Sequence, residues 1–178
     1  MGTIIRKAVR DDIPQILAFI RRLAEYEHLE SAVQVTAADL ERDGFGERPV
    51  FYCLMAEHDG TPVGFALYFY NYSTFVGRSG LYLEDLFVDP AQRGKGVGKA
   101  LLSALAAEAV RNHCGRFEWS VLDWNQMAID FYRSQGGQLL EEWRIVRVAG
   151  EALAHLAARA PGEWAPSGQL RQSGEFEQ

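Results

Sequence analysis

The chain has 178 residues, of which 48% are hydrophobic and 24% charged. This length and composition predict one globular domain with a short extension. The net charge of −6 and the lack of a basic patch exclude nucleic acid as an expected partner. An acidic balance favours a cationic substrate, although it is also common among cytoplasmic proteins of other functions.

The first third of the chain predicts a strand followed by two helices. Residues 3–7 form the strand, and Asp11 or Asp12 caps the first helix. Apolar residues recur at helical spacing between positions 13 and 24, so one face of this helix is expected to be buried. Thr36 caps a second, shorter helix that runs through Arg42.

The middle of the chain predicts three strands. Residues 50–57 and 63–70 flank Asp59-Gly60, a strong signal for a tight turn, and are expected to form an antiparallel hairpin. Residues 81–88 form the next strand, which Asp89-Pro90 ends.

The remaining elements alternate between helix and strand. Helices are predicted at 97–113 and 125–134, strands at 116–122 and 138–148, and a short closing helix at 151–158. The resulting order, β-α-α-β-β-β-α-β-α-β, predicts an α/β (mixed α+β) fold with helices on both faces of a mixed sheet.

The expected domain spans residues 3–158. A tail over 159–178 is rich in Pro, Gly, Ser and Gln from position 161, a composition typical of segments without a packed core.

A glycine-rich loop joins the strand that ends at Val88 to the helix that follows it. It reads Arg93-Gly94-Lys95-Gly96-Val97-Gly98-Lys99. Closely spaced glycines let consecutive backbone N–H groups converge at the positive end of a helix dipole, and the three basic side chains add charge. The pattern predicts a site for a pyrophosphate, the alternative being a flexible loop before a helix.

Two common phosphate motifs fail on spacing. A P-loop needs glycine at position 93 and Ser or Thr after its lysine, where this chain has Arg93 and Ala100. The dinucleotide pattern G-x-G-x-x-G needs glycine at position 99 or 101, where Lys99 and Leu101 stand.

Neither a metal site nor a membrane segment is expected. Cys53 and Cys114 do not make a disulfide framework, which favours a reducing compartment and a cytoplasmic location. The four histidines are scattered without metal-ligand spacing. The N-terminus lacks the apolar run of a signal peptide, and no apolar stretch approaches the ~18 residues of a membrane span.

The glycine-rich loop and its surroundings resemble the GCN5-related N-acetyltransferase (GNAT) family. The pattern Arg93-x-x-Gly96-x-Gly98 after the strand Tyr82-Leu83-Glu84-Asp85-Leu86-Phe87-Val88 is similar to that family's acyl-CoA motif. Three further stretches resemble its diamine branch, the spermidine/spermine N1- and thialysine Nε-acetyltransferases: Leu23-Ala24-Glu25-Tyr26-Glu27, Asp43-Gly44-Phe45-Gly46 and Leu122-Asp123-Trp124-Asn125-Gln126. The resemblance covers about residues 5–156.

The resemblance implies that the fourth and fifth strands splay apart and that acetyl-CoA, as co-substrate, lies between them. It implies donor-binding roles for the backbone of the fourth strand, for the glycine-rich loop and for the segment near the CoA sulfur: Leu86, Phe87, Val88, Arg93, Gly94, Lys95, Gly96, Val97, Gly98, Lys99, Asn125 and Ala128. It also implies a homodimer.

Glu84 and Tyr132 are the candidate catalytic residues. A primary amine has a pKa near ~10.4, so removing its proton at pH 7 costs roughly 4 kcal/mol, and Glu84 is the candidate base, directly or through water. Tyr132 is the candidate acid for the departing thiolate; between ordinary pKa values of ~10 and ~8.5, full transfer is uphill by ~2 kcal/mol. Hydrogen bonding to the thiolate is its alternative role. The structural alternatives are a surface carboxylate and a core-packing tyrosine.

The acceptor is expected to be a small cationic amine. The resemblance places these residues at the acceptor site, with one of Glu141 and Glu142: Tyr26, Glu27, Glu84, Glu118, Trp119 and Ser120. A diamine, a polyamine and a thialysine-like amino acid all fit such an acidic site. Acetylation of a protein or an aminoglycoside, and a CoA-binding module without catalysis, are the alternatives.

Overall fold

A computed structural model describes residues 2–161 of the chain. Its contacts divide the chain into two units, Met1–Gly137 and Gln138–Gln178, which are described separately. Most of the expected tail, residues 162–178, lies outside the described residues.

The first unit is built on one five-stranded mixed sheet. Its strands are β1 Thr3–Lys7, β2 Tyr52–His58, β3 Thr61–Ser73, β4 Arg78–Val88 and β5 Arg116–Trp119. They lie in chain order across the sheet, with the first four antiparallel and β5 parallel to β4. The expected mixed sheet is confirmed, and so is the hairpin: Asp59 and Gly60 both have positive φ, at 50° and 76°, as a tight two-residue turn requires.

Four helices complete this unit: α1 Ile13–Glu27, α2 Ala37–Phe45, α3 Val97–Arg111 and α4 Gln126–Ser134. Thr36 caps α2 as predicted, because its side chain accepts a hydrogen bond from the backbone N–H of Asp39. Asp12 precedes α1 but makes no side-chain cap bond to it. Its carboxylate instead accepts hydrogen bonds from Arg6 and from the N–H of Val9.

The helices cover both faces of the sheet, as the sequence predicted. On one face, α3 contributes Leu101 and Leu105 to a core that includes Leu81 and Leu83 of β4. On the other face, α1 and α2 pack against a second core that includes Phe87 of β4. Strand β4 is therefore buried between two layers, which holds its backbone in place beside the glycine-rich loop.

In the second unit, the predicted strand at 138–148 is wrong. Its only described helix is α5, Gly150–Ala157, close to the predicted closing helix, and residues 138–149 form no strand. Apolar residues produced the strand signal, but a strand also needs a paired backbone, and this segment has none within residues 2–161. Trp143, Ile145 and Val146 are exposed by 68%, 75% and 87%.

Across residues 2–161, no helix combines the length and apolarity that crossing a membrane requires. In the same part of the chain, no group of three or more His, Cys, Asp or Glu side chains is arranged to hold a metal ion.

Candidate functional site

Strands β4 and β5 separate halfway along β4. Their parallel pairing runs from Gly80 opposite Arg116 to Leu83 opposite Trp119, and it stops there although β4 continues to Val88. Along the edge of β4 that faces β5, residues 84–88 have no strand partner among the residues that the structure describes. Their backbone groups that face this edge are therefore available to a bound molecule. The separation of the fourth and fifth strands agrees with the expectation from the resemblance.

A bulge in β4 turns two consecutive carboxylates toward the same face. Leu67 of β3 lies opposite Asp85, whereas the next residue, Tyr68, lies opposite Leu83, so Glu84 is the extra residue. The α3-side core takes leucine side chains before the bulge and Leu86 after it. Glu84 and Asp85 are thus both left to the α1 side of the sheet.

Three carboxyl groups interact on this side. Glu84 is exposed and Asp85 is more enclosed; burial, followed by the charges of Glu84 and Glu27, raises the pKa of Asp85 to about 6. Glu27 is the last residue of α1, and burial also raises its pKa. Neighbouring acidic groups that are partly withdrawn from water favour a positively charged ligand that would neutralise them.

Tyr132 lies on α4, close enough to Glu27 for the charge of that carboxylate to affect it. Burial, followed by the charge of Glu27, raises the pKa of Tyr132 to about 12. Its ring packs edge-on against Trp119 of β5 at 5.1 Å between centroids. The phenol is therefore protonated at neutral pH and can donate a hydrogen bond or a proton.

The glycine-rich loop has the geometry of an anion site. Gly94 and Gly96 adopt positive φ angles of 74° and 84°, and α3 begins at Val97 directly after them. The first intrahelical bond is donated by Ala100 to Gly96, so the preceding amides of Val97, Gly98 and Lys99 have no helical partner. Free amides at the positive end of a 15-residue helix fit a diphosphate.

The Arg93 side chain contacts other parts of the site. Its guanidinium lies 4.8 Å from the ring centre of Tyr26, and its Nε donates to the carbonyl oxygen of Val88 at 3.2 Å. Arg22, four residues before Tyr26 on α1, also makes a cation–π contact, with Phe87, and it forms an ion pair with Asp89 at 2.9 Å. Sequence reasoning missed these contacts; the i, i+4 spacing of positions 22 and 26 was the only available signal.

Asn125 caps α4 and is almost entirely buried, at 8% exposure. Its Oδ1 accepts hydrogen bonds from the N–H of Ala128 and from the hydroxyl of Tyr26, both at 3.2 Å. The centre of the Tyr26 ring also lies 6.1 Å from that of Trp124. Trp124 is 51% exposed and also contacts the ring of His28. Tyr26 thus joins the loop residue Arg93 to the start of α4.

The other predicted acceptor residues occupy different places. Glu118 forms an ion pair with Arg116 at 2.9 Å. Ser120 hydrogen-bonds the hydroxyl of Tyr82 at 2.7 Å. Trp119 packs with the α3-side core, where it contacts Tyr132 rather than the carboxylates. Glu141 and Glu142 belong to the second unit, where both are exposed.

Comparisons with known proteins point in the same direction as this geometry. Residues 13–136 match the sequence profile of the Acetyltransferase (GNAT) family. The chain is 42% identical over 169 residues to the thialysine N-epsilon-acetyltransferase of Sus scrofa, covering 89% of this chain and 99% of that protein. It is 40% identical over 163 residues to spermidine/spermine N(1)-acetyltransferase-like protein 1 of Homo sapiens, and the match covers 86% of this chain and 23% of that protein. The solved structure of an integron cassette protein of V. cholerae aligns with a TM-score of 0.74 and 27% identity, covering 88% of this chain and 98% of that protein.

Proposed function

This chain belongs to the acetyltransferase (GNAT) family, and we propose that it acetylates a primary amine of a small cationic acceptor, either a thialysine-like amino acid or a diamine or polyamine. Acetyl-CoA is the acetyl donor of this family, and an amine is the acceptor. The observation that carries the proposed acceptor class is the group of Glu27, Glu84 and Asp85, in which Asp85 interacts with both other carboxyl groups and Glu27 also acts on Tyr132. A cationic acceptor offsets their mutual repulsion.

The chain offers acetyl-CoA two kinds of backbone contact. We assign the diphosphate to the amides of residues 94–99, with Lys95 and Lys99 supplying charge. We assign the pantetheine arm to the backbone of Leu86, Phe87 and Val88, because amide groups at an open strand edge can pair with the amides of that arm. Asn125 and Ala128, at the start of α4, are assigned to the end that carries the sulfur.

Transfer requires a proton acceptor for the amine and a hydrogen-bond donor for the thiolate. Acetyl-CoA supplies an activated acetyl group, so that a C–N bond forms as the C–S bond breaks. Glu84, exposed at the bulge, takes the amine proton directly or through water. Tyr132 donates a hydrogen bond to the sulfur as negative charge develops there. The same hydroxyl is the candidate acid for the proton that the sulfur finally takes, because burial keeps it protonated at neutral pH.

We assign Glu27, Glu118, Trp119 and Ser120 to the acceptor side with different roles, and we place Tyr26, whose hydroxyl donates to Asn125, between the acceptor and donor sides. Glu27 is the carboxyl group whose charge affects both Asp85 and Tyr132, so we place the acceptor's cationic group there. Trp119 supports the Tyr132 ring. Glu118 in β5 and Ser120, the first residue after that strand, supply polar groups near its end.

We also propose a homodimer, formed by a domain over 3–158, that works in the cytoplasm. The exposed apolar residues Trp143, Ile145 and Val146 support this proposal, because a second copy would remove them from water. Both cysteines, Cys53 and Cys114, are free thiols, as a reducing compartment would keep them. Light scattering across a dilution series measures the assembly directly.

The test of function is thiol release from acetyl-CoA with a panel of amines, followed by mass detection of the products. Thialysine, ornithine, lysine, spermidine and an aminoglycoside form the panel. We expect the preferred acceptor to be one of the first four amines. We expect Glu84→Gln to lower turnover most at low pH, because less of the amine is then neutral. If only the aminoglycoside is acetylated, or if none of the five amines is, the result contradicts the proposed acceptor class.

A further inference from the structure

We propose that Tyr26 is a positioning residue that sets the orientation of the Asn125 side-chain amide, and that Arg93 acts through Tyr26 rather than as a phosphate ligand. The inference deepens the proposed function and rests on it, since Asn125 is assigned there to the donor.

The two hydrogen bonds at Asn125 define which end of its amide is free. Oδ1 accepts from the Tyr26 hydroxyl and from the N–H of Ala128. Two donors on one atom require it to be the carbonyl oxygen, so the opposite end is the Nδ2 amino group. Within residues 2–161, nothing accepts a hydrogen bond from Nδ2, which leaves its N–H groups for a bound molecule. Without the tyrosine hydroxyl, the backbone amide alone holds the orientation.

Tyr26 is itself held by Arg93. The guanidinium covers one face of the ring at 4.8 Å, and the bond from Nε to the Val88 oxygen anchors the arginine to β4. Trp124 contacts the same ring at 6.1 Å. A ring with neighbours on these sides, and a hydroxyl engaged at its tip, has a defined position.

These contacts link three separate elements of the site. Arg93 belongs to the glycine-rich loop, Tyr26 to the last turn of α1, and Asn125 to the cap of α4, the helix that carries Tyr132. The arrangement therefore places the donor loop and the thiolate-binding phenol in a fixed relation. The diphosphate remains with the loop amides and with Lys95 and Lys99, whose side chains are exposed.

The first test separates positioning from a purely structural role. Tyr26→Phe keeps the ring beneath Arg93 and removes the hydroxyl; Asn125→Ser keeps an N-capping oxygen and removes Nδ2. We expect each variant to lower kcat about five- to tenfold, to weaken calorimetric CoA binding by a similar factor, and to leave KM for the amine and the unfolding midpoint almost unchanged. The double variant should be no worse than Asn125→Ser alone. Tyr72→Phe, an exposed tyrosine on β3, is the matched control.

Independent, multiplicative losses in the double variant would overturn the proposed link. So would a Tyr26→Phe defect confined to KM for the amine, because that result assigns Tyr26 to the acceptor alone. Calorimetric CoA binding needs no acceptor. It therefore still decides the role of Tyr26 if no amine in the panel is acetylated and the proposed function fails.

The second test uses a donor without a diphosphate. Arg93→Ala is compared with acetyl-CoA and with S-acetylpantetheine, which retains the thioester and the pantetheine arm. If Arg93 acts through Tyr26, kcat/KM falls by the same factor with both donors, and the loss disappears in a Tyr26→Leu background. A loss confined to acetyl-CoA makes Arg93 a phosphate ligand and overturns this part of the proposal.

Discussion

The two halves of the site are built in different ways. The proposed donor half consists mainly of backbone, the open edge at residues 84–88 and the loop amides around Gly94 and Gly96, with a few side chains such as Asn125. The proposed acceptor half consists of side chains from three elements, Glu27, Asp85 and Tyr132, whose pKa values are all raised by burial. A backbone site binds one invariant ligand, whereas a side-chain site can change with the acceptor. Variants should therefore separate the two halves kinetically.

Tyr132→Phe should have the largest effect and should affect the transfer step alone. Loss of the hydrogen bond to the thiolate is expected to lower kcat by about 10²- to 10³-fold. Calorimetric affinity for CoA should hardly change, because Tyr132 is expected to bond the sulfur strongly only as negative charge develops there. Steady-state kinetics and calorimetry on the same preparation check both. Phe131, the neighbouring residue on α4, offers the control Phe131→Tyr, and normal turnover in Tyr132→Phe would reject the assigned role.

Asp85→Asn should show that the buried carboxylate of the proposed acceptor half lowers the free energy of unfolding. The folded-state pKa of about 6 lies above the ordinary value of 3.8. Between these values the folded protein binds more protons than the unfolded chain, so the contribution of Asp85 to stability falls as pH rises from 4 to 6. At pH 7.5 we expect Asp85→Asn to unfold ~4–8 °C higher, a gain of about 2 kcal/mol.

The same comparison at pH 4 should show almost no difference, because the wild-type carboxyl is then protonated when folded. Glu84→Gln is the companion variant. Its charge is a lesser cause of the shift than burial, so its gain at pH 7.5 should be smaller. A midpoint for Asp85→Asn that is lower than wild type at both pH values would contradict a buried, repelled carboxylate.

Gly96→Ala should damage the donor half alone. A side chain at φ 84° costs about 1–2 kcal/mol, and relaxation of the loop misaligns its amides. KM for acetyl-CoA should rise about tenfold while KM for the amine stays constant. Gly60→Ala is a close control, because φ is 76° there too but the turn lies in the β2–β3 hairpin. Equal donor defects in the two variants would show that the effect is general destabilisation.

Glu118→Gln should have the smallest effect, on the acceptor half. Glu118 is already paired with Arg116 at a partly exposed site, so its remaining attraction for a cation is modest. We expect KM for the amine to rise about two- to threefold at low salt and to converge with wild type at high salt. Glu41→Gln, which removes the exposed partner of Arg10, should change nothing. A rise that salt does not reduce would indicate a direct contact instead.

Most of the proposed donor half was predictable from sequence, because the residues that form it lie close together along the chain. A strand, a run of glycines and an amphipathic helix follow one another from residue 81 to 113, and local chemistry is enough to predict amides at a helix N-terminus. The same reasoning predicted each of the five strands and four α-helices of the first unit, but it made β3 and β4 shorter than they are. It went wrong at 138–148, because strand pairing is a property of two segments and the apolar pattern reports only one.

Position in the sequence by itself determined that Gly94 to Gly98 could bind an anion, and that Glu84 and Tyr132 were candidates for proton chemistry. Only the tertiary structure decided that a bulge directs Glu84 and Asp85 to one face, that burial raises the pKa of Tyr132, and that Arg93 lies against the ring of Tyr26. Propensity and pattern depend on near neighbours along the chain. Desolvation, charge coupling and ring contacts depend on residues up to a hundred positions apart, which meet only after the chain has folded.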